Sequence, residues 1–339
     1  MPKESNNELF NDSKKNITKY DNTNYKIFSL KNTRLYTDRI YNTAVIKNNL
    51  LIDEASFKIN FEKKCFSKNE NIVLKIGTPR FLKKIKGKVL SLLTGGGGNE
   101  NYFHWVYDVL PRIGIYEEIF ELKNLDFLLV PNDEKKFQIE TLNLLNFTRD
   151  QILSSTKYRH IYPEELFVTQ HPYCKKNFDE DELKIPLWIS KWLRGKFIKK
   201  VDNKQKNLPK KFYIDRGDSI FSENRIIVNE EEIKEFLKRK GFLPIQLSKY
   251  NFIDQVKLFK DANHIIGLHG AGFSNIVFCS ENTKVLEFRT DKTGKLYENI
   301  GIQNKLNFKK IEAKPINRDA SVQQGKIFID LRDIETLLS

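Results

Sequence analysis

The sequence predicts an α/β protein of two domains, the second built on a parallel sheet. Three observations predict it. Residues 212–288 read as successive strand, turn and helix units, and strands that alternate with helices imply a parallel sheet with right-handed crossovers. Those units converge on one glycine-rich turn, Gly267-Leu-His-Gly-Ala-Gly272, set between the apolar run His264–Gly267 and Phe273–Phe278. The length of 339 residues also exceeds the roughly 250–300 that a single core supports.

In chain order, residues 1–25 are polar and rich in Asn and Lys, a loosely held start. Short apolar runs at Thr43–Ile46, Asn71–Ile76 and Lys88–Leu93 read as strands. Thr94-Gly-Gly-Gly-Gly98 breaks the pattern before the aromatic segment Asn101–Asp108. Helical and strand-like pieces then alternate over 112–170, with Leu125–Val130 a strand. The charged stretch 175–211 encloses Trp188–Trp192, a linking helix. The expected division is therefore 1–185, a linker helix at 186–210, and 211–339.

The second half reads more sharply. Lys211–Ile214 is a strand, and Asn229 caps the next helix with Glu232 completing a capping box. Ile233, Phe236 and Leu237 form that helix's buried stripe, and Gly241 ends it. Phe242–Leu247 is a second strand, and a helix over Phe252–Ala262 buries Phe252, Val256 and Phe259. The third strand delivers the glycine turn, and Lys284–Phe288 supplies a fourth.

The composition narrows the class. A hydrophobic fraction of 40% with 30% charged residues fits a globular chain able to bury cores. No apolar run approaches the ~18 residues that span a bilayer, and the start lacks the apolar segment of a secretory signal. Three cysteines far apart, Cys65, Cys174 and Cys279, fit neither a disulfide framework nor a metal spacing. A cytoplasmic location is the expectation. The net charge of +14 suits nucleic acid, anionic head groups or a phosphorylated substrate alike. Lysine is spread along the whole chain, so charge does not choose among them.

Chemistry concentrates in three places. A strand that empties through glycines into a helix start gathers backbone N–H groups where phosphate binds. The turn is G-x-x-G-x-G, neither a dinucleotide fingerprint nor a P-loop. One reading has His269 and the amides of Gly270, Ala271 and Gly272 facing a diphosphate; the other makes the glycines a packing device. Arg216, ending the first strand, and Arg225 could grip phosphate as forked donors or pair with Asp215, Asp218 or Glu230. Glu287 could accept ribose hydroxyls or sit in an ion pair. In the first half His104, Asp108 and Arg112 share one helical face, and a His–Asp pair can accept a proton. Pro111 requires that helix to kink or end. Asp179-Glu-Asp181 matches a metal-holding D-x-D pattern but reads as a solvated charge run.

Together these segments resemble glycosyltransferase family 61. The pattern stands here as Asn101-Tyr-Phe-His-Trp-Val-Tyr-Asp-Val-Leu-Pro-Arg112, Tyr213–Arg216, Arg225–Glu231, Gly241-Phe242, His269–Asn275 and Val285–Glu287, in that order across residues 90–290. The resemblance implies a GT-B architecture, two Rossmann-like domains facing a cleft, and an inverting, metal-independent transfer with no cofactor. It implies a nucleotide-sugar donor held by Arg216, Arg225, His269, Gly270, Ala271, Gly272, Asn275 and Glu287. Asp108, or His104 polarised by it, would be the base, with Asn101, Trp105 and Arg112 on the acceptor side. The acceptor would be a glycan or a lipid-linked glycan of surface polysaccharide (capsule or lipopolysaccharide) synthesis, with peripheral contact to the cytoplasmic membrane and no nucleic acid. The rival readings are a basic nucleic-acid-binding protein and a catalytically inactive scaffold of the same family.

Overall fold

The computed structural model describes residues 2–4, 13–20, 23–39, 41–60, 65–66, 70–94, 100–173, 184–202, 208–217, 225–316 and 324–338. The chain divides into two compact units, Met1–Asp179 with Pro186–Trp192, and Glu180–Ile185 with Leu193–Ser339. The division falls inside the helix Leu187–Phe197.

In unit 1 the parallel part of the sheet comprises β1 (Lys83–Ser91), β2 (Phe127–Val130), β3 (Ile152–Ser154) and β4 (His160–Thr169), in the spatial order β4-β1-β2-β3. Pro163 lacks an N–H, and the register of β4 against β1 slips between Pro163 and Glu165, a bulge where the ladder loses a donor. Beyond β4 the sheet is antiparallel, through Thr23–Lys31, Arg34–Thr37 and Asn42–Lys47. The expected parallel sheet is thus corrected to a mixed one, because the N-terminal runs join through short turns and no crossover helix separates them. Phe28, Leu30, Val89, Leu129, Leu153, Leu166 and Val168 fill its core.

A second correction concerns Asn71–Ile76. It is a helical turn, Val73–Ile76, and not a strand. The Asn71 carboxamide accepts from Val73 N and donates to Thr43 O, and Gly77 closes the turn at φ +67°. A side chain that serves the local backbone in this way competes with strand pairing.

Unit 2 carries a wholly parallel five-stranded sheet: β5 (Lys211–Ile214), β6 (Leu243–Ile245), β7 (His264–Leu268), β8 (Lys284–Thr290) and β9 (Asn307–Ala313). Their spatial order is β6-β5-β7-β8-β9. The helix Glu230–Arg239 buries Ile233, Phe236 and Leu237 as its stripe requires, and Gly241 at φ +85° ends it. The capping box does not form. Asn229 spends its side chain across the unit instead, donating to Ile329 O and accepting from Ile329 N. A short parallel ribbon, Arg225–Ile227 with Gly325–Ile327, completes the unit.

Candidate functional site

Each unit has one position where its topology opens a crevice. In unit 1 the chain steps β1, β2, β3 in one direction and then places β4 on the other side of β1. In unit 2 it steps from β5 to β6, then places β7 on the other side of β5. Helices diverge at such a switch, and ligands bind beyond the carboxyl ends of the two strands that flank it.

Segment 101–112 follows β1 in unit 1. Asn101 caps its first turn, accepting from the amides of Phe103 and His104 at 2.9 and 3.4 Å. The helix then widens over Trp105–Val109, where Leu110 N reaches back five residues to Trp105 O. Pro111 opens the next helix, Pro111–Glu117, at the first-turn position where its missing N–H costs nothing. The widened turn buries Asp108 to 4% exposure while the His104 side chain stays 38% exposed. Asp108 Oδ2 accepts from His104 Nδ1 at 2.8 Å and lies 3.8 Å from His171 Nε2. Its Oδ1 accepts from the Tyr173 hydroxyl.

The electrostatics separate the two partners. Burial would raise the Asp108 carboxyl, but the charge and hydrogen bond of His104 and the bond to His171 outweigh it and hold the group well below the usual carboxylate range. Burial pushes His171 down despite that carboxylate, so its ring is neutral. Asp108 is therefore ionised, enclosed and a poor proton acceptor. A carboxylate only accepts, so the Nδ1 of His104 carries a proton, and in the neutral ring the basic lone pair is on Nε2. The pair has the form of a base held and oriented by a carboxylate.

The remaining first-half candidates have structural roles. Trp105 is fully buried, with Nε1 donating to Thr141 Oγ1 at 2.9 Å. Arg112 is also fully buried, bonding Asp108 O at 3.1 Å and Thr169 O at 3.0 Å, and so joins the widened turn to the end of β4. Both were expected on the acceptor side, and both are enclosed within the unit. The aromatic and cationic types that suggested ligand contact serve the core and a buried splice.

At the unit 2 switch, Arg216 stands two residues beyond β5 and the glycine turn follows β7. Arg216 Nη1 donates to His269 O at 3.0 Å, and Arg225 Nη1 reaches the same carbonyl at 3.4 Å. Two guanidiniums thus converge on one backbone oxygen. Asp215 and Glu230, their possible acidic partners, lie 3.4 and 3.9 Å from Lys234. Burial lowers Arg216, and the like charge of Arg225 lowers it further; burial lowers Arg225 as well. The guanidiniums stay charged.

The glycines explain how this is possible. A Cβ on Gly270 would stand 3.2 Å from Arg216 Cζ and 3.3 Å from its Nη1, so the turn needs glycine for the guanidinium to lie against it. A Cβ on Gly272 would press Leu247 Cδ1 at 2.9 Å. Ala271 opens the 3-10 helix Ala271–Phe278, whose first amides have no acceptor one turn back. Of the two readings of the turn, the close packing against Arg216 and Leu247 is the one seen.

His269 takes part through its carbonyl. Its ring turns inward, Nδ1 to Glu287 Oε1 at 2.6 Å, and Glu287 Oε2 receives Arg289 Nη1 at 3.2 Å. Glu287 is fully buried with both oxygens engaged, so of its two readings the ion pair is the one seen. Asn275 is buried too, donating to Gln255 Oε1 and Gly272 O. Both support the turn from beneath it. Asp179-Glu-Asp181, Cys174 and Asp218 lie outside the described residues. Among the described residues no group of three His, Cys, Asp or Glu converges for a metal, and no helix is long and apolar enough to cross a membrane.

Residues 102–286, more than half of the chain, match the model of the family described as Glycosyltransferase 61. The chain belongs to glycosyltransferase family 61. The matched span begins at the helix of the His104–Asp108 pair and ends within β8, so it contains both switch-point clusters. No curated protein matches the chain at a significant level. Family membership makes the chain a glycosyl-transfer protein, and the two clusters are its candidate chemistry.

Sequence reasoning missed His171 and Tyr173. The available signal was position: His171-Pro172-Tyr173 follows directly on the run that becomes β4, and carboxyl ends of parallel strands carry sites. It also missed Arg289, two residues after Glu287 on the same face of β8.

Proposed function

We propose that the chain transfers a sugar from a nucleotide-sugar to a glycan or lipid-linked acceptor, with inversion at the anomeric carbon and without a metal. The observation that carries this reading is the convergence of Arg216 and Arg225 on the glycine turn at the unit 2 switch point. The labour divides as in GT-B enzymes. Unit 2 holds the donor diphosphate through the two arginines and the amides of Ala271 and Gly272, while unit 1 supplies the base.

In the proposed step, His104 Nε2 takes the proton of the acceptor hydroxyl as that oxygen bonds to the anomeric carbon. The bond to the diphosphate breaks, its electron pair leaves with the phosphate oxygen, and the preorganised cations stabilise the charge that develops there. Asp108 orients His104 and stabilises the imidazolium that forms. Its own depressed carboxyl and its three engaged neighbours support assigning the base to His104. The setting proposed is surface-polysaccharide synthesis.

The test is a thermal-shift panel with UDP-, GDP-, CMP- and dTDP-sugars, with and without EDTA. A donor at about 100 times its Kd adds about 2.7 kcal/mol of stability. The expected result is one nucleotide class that stabilises the wild type, is indifferent to EDTA, and fails with Arg216→Ala. Stabilisation by DNA or RNA and by no nucleotide-sugar would overturn the reading.

A further inference from the structure

The amino end of β1 lies at the edge of unit 1 opposite its switch point and carries a surface that the chemistry above does not use. Residues 75–88 contain Lys75, Arg80, Lys83, Lys84, Lys86 and Lys88, all exposed, and no Asp or Glu. Within the same stretch Phe81 is 97% exposed, Ile76 51% and Leu82 44%. Among the described residues no large apolar side chain is more exposed than Phe81.

The backbone beneath it is held. Arg34 Nη1 donates to Thr78 Oγ1 at 2.9 Å, and His160 Nδ1 donates to the Arg80 carbonyl at 2.8 Å. Phe81 is thus presented to solvent on a fastened loop, between a helical turn closed by Gly77 and the first residues of β1. The carboxylates that face the stretch sit at its far end. Asp126 Oδ2 accepts from Lys88 N at 2.7 Å, and Glu165 lies 3.9 Å from Lys88 Nζ. Lys83 lies over the Tyr158 ring at 4.6 Å. Among the described residues no carboxylate is paired with Arg80, Lys83 or Lys84, the cations nearest Phe81 in the chain, which leaves them to an outside partner.

We propose that this tip docks unit 1 on an anionic lipid bilayer. Phe81, Leu82 and Ile76 enter the interface, and the flanking Lys and Arg residues meet the head-group phosphates. The mixture of side chains selects lipid over nucleic acid. Stacking on bases rewards a flat ring and gives nothing to the aliphatic Ile76 and Leu82, whereas acyl chains reward all three. The position suits a working enzyme. The nine residues of β1, at about 3.3 Å each, put the tip roughly 25–30 Å from the strand end that carries His104 and Asp108. Docking by one end leaves the other end of the sheet open. The proposal rests on unit 1 alone and does not depend on the transferase reading.

The test is flotation of the full chain with vesicles of phosphatidylglycerol and phosphatidylcholine in equal parts, against vesicles of phosphatidylcholine alone. The expected result is binding to the anionic vesicles that is roughly tenfold stronger than to the neutral ones and weakened by salt. Phe81→Asp and the double change Lys83→Glu with Lys84→Glu should each lower it by roughly tenfold or more. Phe81→Trp should bind like the wild type and shift its emission to the blue when anionic vesicles are added. These side chains are exposed, so thermal melting and the nucleotide-sugar response should be unchanged in every variant, which separates loss of docking from loss of fold or of donor binding. Vesicle binding that survives both Phe81→Asp and the lysine reversals overturns the assignment. So does preferential binding of RNA through the same residues, or self-association that Phe81→Asp abolishes while the wild type ignores vesicles.

Discussion

The two switch-point clusters occupy the same topological position in their units and are built on opposite electrostatic plans. In unit 1 the charge is satisfied inside the protein: the Asp108 carboxylate is surrounded by His104, His171 and Tyr173, and its pKa falls because His104 and His171 outweigh its burial. In unit 2 the charge is left strained: Arg216 and Arg225 are half-buried side by side and both are pushed below their ordinary values. A satisfied cluster stabilises the fold and positions a reactive nitrogen. A strained one costs the fold and is relieved when an anion arrives. Substitution should therefore do different things in the two places, and four experiments can break or sharpen the contrast.

The largest effect belongs to the base. His104→Ala should lower kcat by about 10²–10⁴ while donor KM moves by no more than a few-fold. Asp108→Asn should cost comparable activity and also about 2–4 kcal/mol of unfolding free energy, because an amide turns donors toward the donors of its neighbours. A stable, active Asp108→Asn would break the comparison on the unit 1 side.

Next comes the cation pair. Arg216→Ala should weaken donor binding by about 10²–10³, and Arg225→Ala should do the same to a smaller degree. Without ligand, Arg216→Met should melt no lower than the wild type, since it removes a desolvated charge from beside another. A clear drop in its ligand-free Tm would show that the arginines are structural.

The third effect is acid sensitivity, and it differs by unit. Burial and the nearby Lys284, Lys211 and Lys309 push His264 of unit 2 down to about 4. Its folded pKa lies below the unfolded one, so the unfolded chain takes up the proton first and stability falls as pH drops from about 6.5 towards 4, by on the order of 3 kcal/mol. His264→Gln should flatten that limb in denaturant titrations. Asp108 is depressed as well, and its contribution is present above about pH 4 and is lost only below it. Asp108→Asn should steepen the limb below 6.5, because the carboxylate that holds His171 up against its burial is gone.

The smallest effect is Gly270→Ala. No positive φ is involved, so the cost comes from the 3.2 Å contact with Arg216 alone. Donor affinity should fall by a few-fold to roughly tenfold, with little change in Tm.

How legible these sites were depends on how local their parts are. The glycine turn, Arg216 and the helix with Ile233, Phe236 and Leu237 could be read because strand, turn and amphipathic helix are written within a few residues of one another. The His104–Asp108 pair could be read for the same reason, four positions apart on one turn. Asn229 was misread because a capping signal is local while its true partner, Ile329, is 100 positions away. The burial of Trp105 and Arg112 was not legible, because residue type says what a side chain can do and not which way it points.

By itself, then, the sequence determined the α/β class, the two-part organisation, the glycine turn after a strand and the spacing that joins His104 to Asp108, all of which follow from short-range pattern and residue chemistry. The tertiary structure decided which member of that pair is enclosed. Tyr173 lies 65 positions from Asp108, and it reaches the carboxylate only because β4 returns to the side of β1, a long-range adjacency that no local period encodes. That adjacency encloses Asp108 and leaves His104 as the more exposed member of the pair.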